Sequence, residues 1–378
     1  MRIEQYVWTK ENGWSPKIGL DSNENVQLMM IFCAASAIKE TGILEDLKKK
    51  FPKAHIFGCS TAGEICDTRV FDHSAVATCI EFERSRFMGA KIKLDQSVDS
   101  FHAGEKLAKA LDEEGLRHVF VLSDGLNVNG SELVKGLIAN LPENVTVTGG
   151  LAGDGARFME TYVLWDDFPE NQVIDAIGLY RSSLKIGYGS MGGWDPFGPE
   201  RVITQSQGNI LYELDGQSAL GIYKKYLGEH AQGLPATGLL FPLSIRTKTG
   251  EEGIVRTILA VSEEHQSMTF AGDIPQGAYA RFMKANFERL IDGSQGAAIA
   301  SAGAMNSIPA ELAVLVSCVG RKLVLKQRIE EEVEAVCDIL GKRTFLTGFY
   351  SYGEISPFTV GAKCALHNQT MTITTIAE

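Results

Sequence analysis

FGCSTAGEI, residues 57–65, decides the fold, because it closes a strand-helix-strand unit with a loop that contains two glycines. Upstream of it, the apolar run VQLMMIFCA at 26–34 predicts a buried strand, and the apolar spacing over 35–51 predicts a helix that ends at Pro52. A second strand begins at 55–57 and runs into the loop. Downstream, the alternation over 74–82 predicts a third strand.

The unit recurs near the other end of the chain. There an apolar run at 311–318 is followed by an acidic amphipathic pattern at 323–340, which predicts a helix, and by GFYSYGEI at 348–355. In both copies two glycines lie five residues apart, the second is followed by Glu-Ile, and a cysteine, Cys33 or Cys318, ends the first strand. The match indicates an internal repeat.

A looser third copy lies between these two. It comprises predicted strands at 119–122 and 145–148, a predicted helix at 131–140, and the glycine loop GGLAGDG at 149–155. Strands that alternate with helices of this length form right-handed crossovers with at least partly parallel pairing. The segment 174–214 is broken by Gly and Pro and predicts antiparallel strands instead. The predicted fold class is therefore α/β, with mixed sheets and repeated strand-helix-strand units.

Length and charge narrow the classes of protein. A chain of 378 residues exceeds what one hydrophobic core usually supports, so we expect two domains or fused halves. The net charge is −11, with 36 basic residues scattered among 47 acidic ones, which disfavours nucleic-acid binding. Because the chain has no apolar run near 20 residues and its start lacks a signal-peptide pattern, we predict no membrane insertion and a cytoplasmic location.

Enzymatic and metal chemistry have weak sequence signals. The seven cysteines are odd in number and never form C-x-x-C, so neither a disulfide framework nor a zinc site is indicated. A cysteine-dependent hydrolase that uses Cys59 or Cys318, with His55 or His367 as base, stays an alternative. The seven histidines lack a zinc-type spacing, but one histidine in an apolar pocket suffices for haem, which stays open as a cofactor.

The glycine loops are the predicted ligand site. Glycine at a strand end lets backbone N–H groups approach a ligand closely, and open α/β sheets place ligands at the carboxyl ends of their strands. The candidate ligand contacts are Gly58, Cys59, Ser60, Glu64, Gly150, Asp154, Cys318, Arg321, Tyr350, Tyr352 and Glu354. Among them, Arg321 suits a carboxylate and Glu354 an ammonium, and Tyr350 and Tyr352 could stack on a ligand.

The assembled motifs resemble the FIST family, named for F-box and intracellular signal-transduction proteins. The resemblance covers nearly the whole chain and depends on FGCSTAGEI, the turn at 123–125 and TGGLAGDG at 148–155 in the amino-terminal region. In the carboxy-terminal region it depends on GNILYELDG at 208–216, SCVGR at 317–321, GFYSYGEI and LHNQT at 366–370. It implies two FIST-type regions, which we place at 20–215 and 216–378.

The resemblance also implies a function. The family is viewed as an intracellular sensory module for small ligands, with amino acids the usual proposal, fused to chemoreceptor, histidine kinase or diguanylate cyclase parts. Since no such part is recognised in this chain, we expect it to act in trans on a partner and not as an enzyme. Some stand-alone bacterial members of similar length are reported as haem-binding nitric oxide sensors that act on a kinase or cyclase, which is the alternative for the ligand.

Overall fold

The structure, a computed structural model, describes residues 1–16, 25–39, 42–94, 98–166, 168–181, 183–247, 253–358 and 361–378. Up to residue 191 the elements are β1 (Arg2–Thr9), β2 (Gly13–Ser15), β3 (Leu28–Ala34), α1 (Ile43–Lys50), β4 (His55–Thr61), β5 (Glu64–Cys66), β6 (Arg69–Phe71), β7 (Ala75–Glu81), β8 (Arg86–Lys93), α2 (Ser100–Ala110), β9 (Leu116–Ser123), α3 (Gly130–Asn140), β10 (Thr146–Leu151), β11 (Val163–Trp165), β12 (Val173–Tyr180) and β13 (Lys185–Met191).

After residue 191 the elements are β14 (Trp194–Gln207), β15 (Ile210–Leu214), β16 (Gln217–Ser218), α4 (Ala219–Leu227), β17 (Leu243–Arg246), β18 (Ile254–Arg256), β19 (Ile258–Ser262), β20 (Ser267–Phe270), β21 (Tyr279–Ala285), α5 (Phe287–Ala304), β22 (Leu312–Cys318), α6 (Val319–Leu325), α7 (Ile329–Leu340), β23 (Phe345–Ser351), β24 (Gly353–Pro357), β25 (Cys364–His367) and β26 (Met371–Ala377). Among the described residues, no helix is long and apolar enough to span a bilayer.

Three six-stranded sheets repeat one plan. Their strand orders are β11-β4-β3-β7-β1-β2, β25-β24-β10-β9-β12-β8 and β6-β5-β23-β22-β26-β13. Each is built on one parallel pair, β3 with β4, β9 with β10 and β22 with β23, flanked by antiparallel neighbours. We number the repeats first, second and third in that order. The predicted α/β class with mixed sheets is confirmed, and the internal repeat has a structural basis.

The repeats exchange strands in a closed ring. After β4 of the first repeat, the chain crosses to the third sheet, where β5 pairs with β23. After β23 it crosses to the second sheet, where β24 pairs with β10, and after β10 it crosses to the first, where β11 pairs with β4. Each glycine loop is therefore a crossover between sheets. Because two of the sheets combine strands from early and late in the chain, the division at residues 215 and 216 stays a prediction.

A fourth, antiparallel sheet is inserted between β13 and α5. Its order is β18-β17-β21-β14-β15-β20-β19, with β16 beside β15, and we call residues 194–247 and 253–285 the inserted sheet. It is bound to the third repeat by Gln369, whose Nε2 lies 3.0 Å from Thr257 Oγ1 and 3.1 Å from the Leu239 carbonyl oxygen. The antiparallel pairing expected for 174–214 is also found in β12, β13, β14 and β15.

Two predicted helices differ from the observed ones. The helix expected over 35–51 begins at Ile43, because Gly42 at φ 116° precedes it; residues 35–39 form turns, and residues 40–41 lie outside the described part of the chain. The helix expected over 323–340 is two helices, since Lys326 at φ 50° ends α6 and α7 begins at Ile329. Non-glycine residues seldom take positive φ, so sequence spacing does not reveal that break.

The helices that cover the second repeat begin at good caps and pack closely. Asp99 accepts a hydrogen bond from the His102 N–H at the start of α2, and Asn129 caps α3. A Cβ on Gly104 would lie 2.3 Å from the Leu133 carbonyl oxygen, so only glycine permits this approach of α2 to α3. The backbones of α2 and α3 therefore pack in direct contact over the second sheet.

Candidate functional site

The three glycine loops meet at their backbones. The hydrogen bonds between them include Ala62 N–H to the Tyr350 carbonyl oxygen (2.8 Å), Gly153 N–H to the Ser60 carbonyl oxygen (2.9 Å) and Tyr352 N–H to the Leu151 carbonyl oxygen (3.2 Å). Backbone hydrogen bonds at the crossovers therefore connect each repeat to its neighbour. The structure brings the predicted loops together, but it packs their tips against each other.

The two loop glutamates are used inside the protein, on the same plan in two repeats. Both side chains are fully buried. Glu64 accepts hydrogen bonds from Thr61 and Ser74, and Glu354 accepts them from Ser351 (2.6 Å) and Thr370 (3.0 and 3.1 Å). Burial raises the pKa of Glu64 to about 7 and that of Glu354 to about 8. These carboxyl groups fix the turn between a crossover and the strand that follows it.

Arg321 is likewise occupied by the protein. Its guanidinium is fully buried and forms an ion pair of 2.7 Å with Glu332, and it also donates to the carbonyl oxygens of Gly192 (2.7 Å) and Leu290 (2.6 Å). Tyr350 donates to the same Glu332 carboxylate (2.7 Å). The ligand roles predicted for Arg321, Tyr350 and Glu354 stay predictions, and these residues are not part of the site proposed below.

The predicted contacts at Gly58, Cys59, Ser60, Gly150 and Cys318 lie in packed strand ends. A Cβ on Gly58 would lie 2.1 Å from the Ile31 carbonyl oxygen, and one on Gly150 2.5 Å from Val316 Cγ1. Ser60 Oγ accepts a hydrogen bond from the Tyr162 N–H at 2.9 Å. Burial raises the pKa of the Cys59 and Cys318 thiols well above their ordinary value. An activated thiolate needs the reverse shift and access to solvent, so the geometry does not favour the hydrolase alternative.

Asp154 organises the loop of the second repeat. Its carboxylate accepts hydrogen bonds from the N–H groups of Phe158 (2.8 Å), Met159 (3.0 Å) and Glu160 (3.1 Å), and from the Tyr352 hydroxyl. The Phe158 ring stacks on Tyr352, with centroids 4.3 Å apart and planes 17° from parallel. Two of the predicted site residues, Asp154 and Tyr352, therefore hold an aromatic pair at the edge of the second sheet.

This aromatic pair forms one wall of a cavity of about 420 Å³, which we call the loop-sheet cleft. The opposite wall belongs to the inserted sheet and includes Asn209, Leu259 and Phe270. Every described residue that lines the cleft is uncharged. The cleft is therefore apolar on its aromatic and aliphatic sides, with side-chain amides as its main polar groups.

Three asparagine amides are held at the cleft by bonds to the protein. Asn127 Nδ2 donates to Asp124 (3.0 Å), Asn209 Nδ2 to the Phe270 carbonyl oxygen (2.8 Å), and the Asn129 Oδ1 accepts the Ser131 N–H (3.0 Å). The bonds of Asn127 and Asn209 fix one side of each amide, whereas Asn129 is bonded on both sides, since its Oδ1 also accepts the Glu132 N–H (3.2 Å) and its Nδ2 donates to Asp273 Oδ1 (3.4 Å). The remaining lone pairs and N–H groups are those available to a ligand.

Sequence reasoning missed Phe158 and the three asparagines as site residues. The turn at 123–125 and the motif at 208–216, which contains Asn209, were singled out as motifs, but a pattern in one segment cannot show which other segment it faces. The signal available was that both motifs lie next to predicted strand ends.

A second surface concerns the haem alternative. His55 borders a groove of about 640 Å³, the His55 groove, and its Nδ1 lies 2.7 Å from Asp166 Oδ2. Its ring stacks on Trp165, with centroids 5.6 Å apart. Metal-bound histidines commonly donate their other ring N–H to a carboxylate, and haem needs an apolar wall, so these residues fit the group.

The two buried histidines fit haem less well. His118 has both ring nitrogens within 2.9 Å of threonine hydroxyls, and His367 Nε2 lies 2.9 Å from the Ser356 carbonyl oxygen. Burial lowers the pKa of His118 to about 3 and contributes most to lowering that of His367 to about 4. Their rings are neutral and are already bonded within the core.

Comparison with known proteins places this fold and its loops in a class of sensory domains. The chain belongs to the FIST family: the FIST N domain matches residues 27–217 and the FIST C domain matches residues 219–357. FIST domains are associated with sensing in signal transduction. The family recognised from the sequence motifs is thereby confirmed.

Individual relatives add little. The chain is similar to an uncharacterized protein of Methanocaldococcus jannaschii, at 21% identity over 384 residues, covering 92% of this chain and 70% of that protein. Among solved structures, it is similar to cyanuric acid hydrolase from A. caulinodans, with a TM-score of 0.37, 8% identity, and coverage of 100% of this chain and 98% of that one. A similarity this low supports no statement about activity.

Proposed function

We propose that the protein is a small-ligand sensor in signal transduction that binds an amino-acid-like ligand in the loop-sheet cleft. The observation that carries the proposal is the meeting, in one cavity of about 420 Å³, of the Phe158 and Tyr352 rings with three oriented amides. Ligand pockets of about 300–1,000 Å³ typically combine such apolar walls with a few placed polar groups.

The uncharged lining suits a zwitterion. An amide oxygen accepts hydrogen bonds from an ammonium, and an amide Nδ2 donates to a carboxylate, so Asn127 and Asn209 can serve both ends of an amino acid, and the second Nδ2 hydrogen of Asn129 is a further donor. The stacked rings of Phe158 and Tyr352 present an apolar surface for the ligand's side chain. An excess of either charge in the ligand would find no fixed counter-charge on the described lining residues.

The loop-sheet cleft is connected to the crossovers by which the three repeats exchange strands. Tyr352 joins β23 to β24, and its hydroxyl bonds to Asp154, which holds the loop that leads to β11 of the first sheet. A ligand against Tyr352 and Phe158 would bias the position of this loop relative to the first repeat. We propose that this change is read in trans by a histidine kinase or diguanylate cyclase partner.

A thermal-shift screen of the twenty amino acids tests the ligand class. A ligand that binds only the folded chain stabilises it by RT ln(1 + [L]/Kd), about 2.7 kcal/mol at one hundred times Kd. We expect a rise in melting temperature with a subset of amino acids, and no rise with their N-acetylated amides, which lack both charged ends. A flat response across the whole set would contradict the proposal.

Haem bound by His55 is the second candidate function, favoured by the pairing of His55 with Asp166 beside Trp165. Lys53 and Arg86 line the same groove and could pair with the propionates. Bound haem would supply an iron centre for a diatomic gas such as nitric oxide. Expression with haem supplied should give a Soret band that is lost in His55→Ala and kept in His265→Ala. A colourless parent, or a band that survives in His55→Ala, would remove this candidate.

A further inference from the structure

A second cavity, of about 270 Å³, lies between α3, the inserted sheet and β25. Its walls are mainly apolar and include Val134, Ile254 and Leu366, whereas its polar groups come from Arg256, Ser131, Lys135 and Asp273. We call it the Arg256 cavity. Gly272 lines the loop-sheet cleft and lies directly against Arg256, since a Cβ on Gly272 would lie only 2.8 Å from Arg256 Nε. This glycine therefore lies between the cleft and the Arg256 cavity.

Arg256 is a buried cation bonded to backbone carbonyl oxygens. Only 6% of the residue is exposed, and its guanidinium donates to the carbonyl oxygens of Leu366 (2.9 Å) and Asp273 (3.4 Å). A buried arginine usually faces a carboxylate, as Arg321 faces Glu332 in this same protein. The planar guanidinium of Arg256 is thus suited to a bidentate carboxylate from outside the chain.

Ser131 supplies an independent polar group in the same cavity. Its Oγ is buried and has no hydrogen-bond partner among the residues that the structure describes, and the residue is 8% exposed. A Cβ on Gly272 would lie 3.2 Å from Ser131 Oγ, so this hydroxyl and the Arg256 Nε lie beside the same glycine. A buried hydroxyl without a partner costs about 1–3 kcal/mol, which a ligand oxygen would recover.

The charges of the cavity favour a single negative charge. Lys135 Nζ lies 2.6 Å from Glu132 Oε1 and 3.0 Å from Asp273 Oδ2, so these three charges are already paired. Arg256 feels the nearby Asp273 charge but forms no ion pair within 4.0 Å with a carboxylate of the described residues. Burial lowers the pKa of Arg256 to about 10, which leaves it protonated at neutral pH. The ligand that matches this lining has one anionic group and an apolar body.

We propose that the Arg256 cavity binds a small aliphatic carboxylate, with the carboxylate on Arg256 and Ser131 and the hydrocarbon against Val134, Ile254 and Leu366. The site lies beyond the proposed amino-acid site and does not depend on it, because the two cavities share none of these groups. A zwitterion fits the Arg256 cavity poorly, since its ammonium would lie beside a buried cation, and Asp273, the one carboxylate among the described lining residues, is already paired with Lys135.

Calorimetric titration of the full chain with the series from acetate to hexanoate tests the site. We expect saturable binding that strengthens with chain length up to the size of the cavity, and at least tenfold weaker binding of butyramide, the neutral counterpart of butyrate. Equal affinity for butyrate and butyramide, or no binding anywhere in the series, would overturn the proposal.

Two variants assign the binding to the cavity. Ser131→Ala removes a hydroxyl that makes no bond to a described residue, so it should keep the parent melting temperature and weaken butyrate several-fold. Arg256→Gln should weaken butyrate at least tenfold, and Arg289→Gln, an exposed arginine, is the control. Parent-like affinity in folded Ser131→Ala would overturn the assignment, whatever the folding of Arg256→Gln.

Discussion

The crossovers of the first and third repeats are short, and that of the second is long. Residues 62–63 separate β4 from β5, residue 352 alone separates β23 from β24, and residues 152–162 separate β10 from β11. Each short crossover is followed by a buried glutamate, Glu64 or Glu354, and the long crossover also buries a carboxyl group, that of Asp154. The long one carries Phe158 outward to face the inserted sheet. In this protein the ligand site is therefore expected where the repeat departs from its own symmetry.

The largest expected effect is on stability, at the buried ion pair between Arg321 and Glu332. Arg321→Met leaves the Glu332 carboxylate buried without its cation, and breaking a buried ion pair in this way costs about 3–5 kcal/mol. Urea unfolding measures the change in the free energy of unfolding. The control is Arg69→Met, which removes an exposed pair with Glu330 and should cost less than about 1 kcal/mol. Equal losses of unfolding free energy in the two variants would show that the buried Arg321–Glu332 pair does not stabilise the fold.

The two buried loop glutamates, Glu64 and Glu354, should make the stability of the fold depend on pH. The pKa of Glu354 is raised to about 8 in the folded protein, above its ordinary value of 4.5, mainly by burial. The folded state therefore keeps a proton that the unfolded chain has lost, so the free energy of unfolding should fall as pH rises from about 4.5 to about 8. Glu64, at about 7, acts in the same direction.

Glu354→Gln checks this sign. The variant cannot ionise at this position, so its unfolding free energy should decline less steeply over that pH range than that of the parent, measured by urea unfolding at several pH values. Glu330→Gln, at a partly exposed glutamate, is the matched control. A slope in Glu354→Gln as steep as in the parent would show that Glu354 is already ionised in the folded protein.

The smallest effect on stability, and the largest effect on ligand affinity, is expected in the long crossover of the second repeat. Phe158→Ala removes the ring that stacks on Tyr352 and lines the cleft. If the ligand contacts this ring as one aromatic group contacts another, the lost contact is worth about 0.5–1.5 kcal/mol, or about 2- to 12-fold in affinity. Titration with the best amino acid from the screen measures the loss. Phe168→Ala, at a phenylalanine that is 84% exposed, should leave the affinity unchanged. Identical affinities in both variants would place the ligand elsewhere.

Much of the architecture could be predicted from local patterns. Apolar runs and glycine loops predicted the parallel pairs β3 with β4, β9 with β10 and β22 with β23, because each pair is formed by segments close in sequence. The strand exchange could not be predicted in this way, since β5 pairs with a strand whose paired residues lie more than 280 positions further along the chain. Periodicity carries no information about such distant partners.

The site was harder to predict than the fold. Glycine, carboxylate and arginine at strand ends are the residue types of a ligand site, but they are also those of a closed polar turn, and Glu354 and Arg321 prove to be bonded within the protein. Which of the two applies depends on whether another segment supplies the bonding partners. Asp154 and Tyr352 are also bonded to each other, but the long crossover brings Phe158 against Tyr352, and these two rings line the cleft that the inserted sheet closes.

A crystal structure of the chain with the tightest-binding amino acid from the screen tests the central claim most directly. The ligand should lie in the loop-sheet cleft, against the Phe158 and Tyr352 rings and within hydrogen-bond distance of at least one of the three asparagine amides. Ligand density at Arg321 and Glu354, in the space now filled by their protein partners, would contradict it.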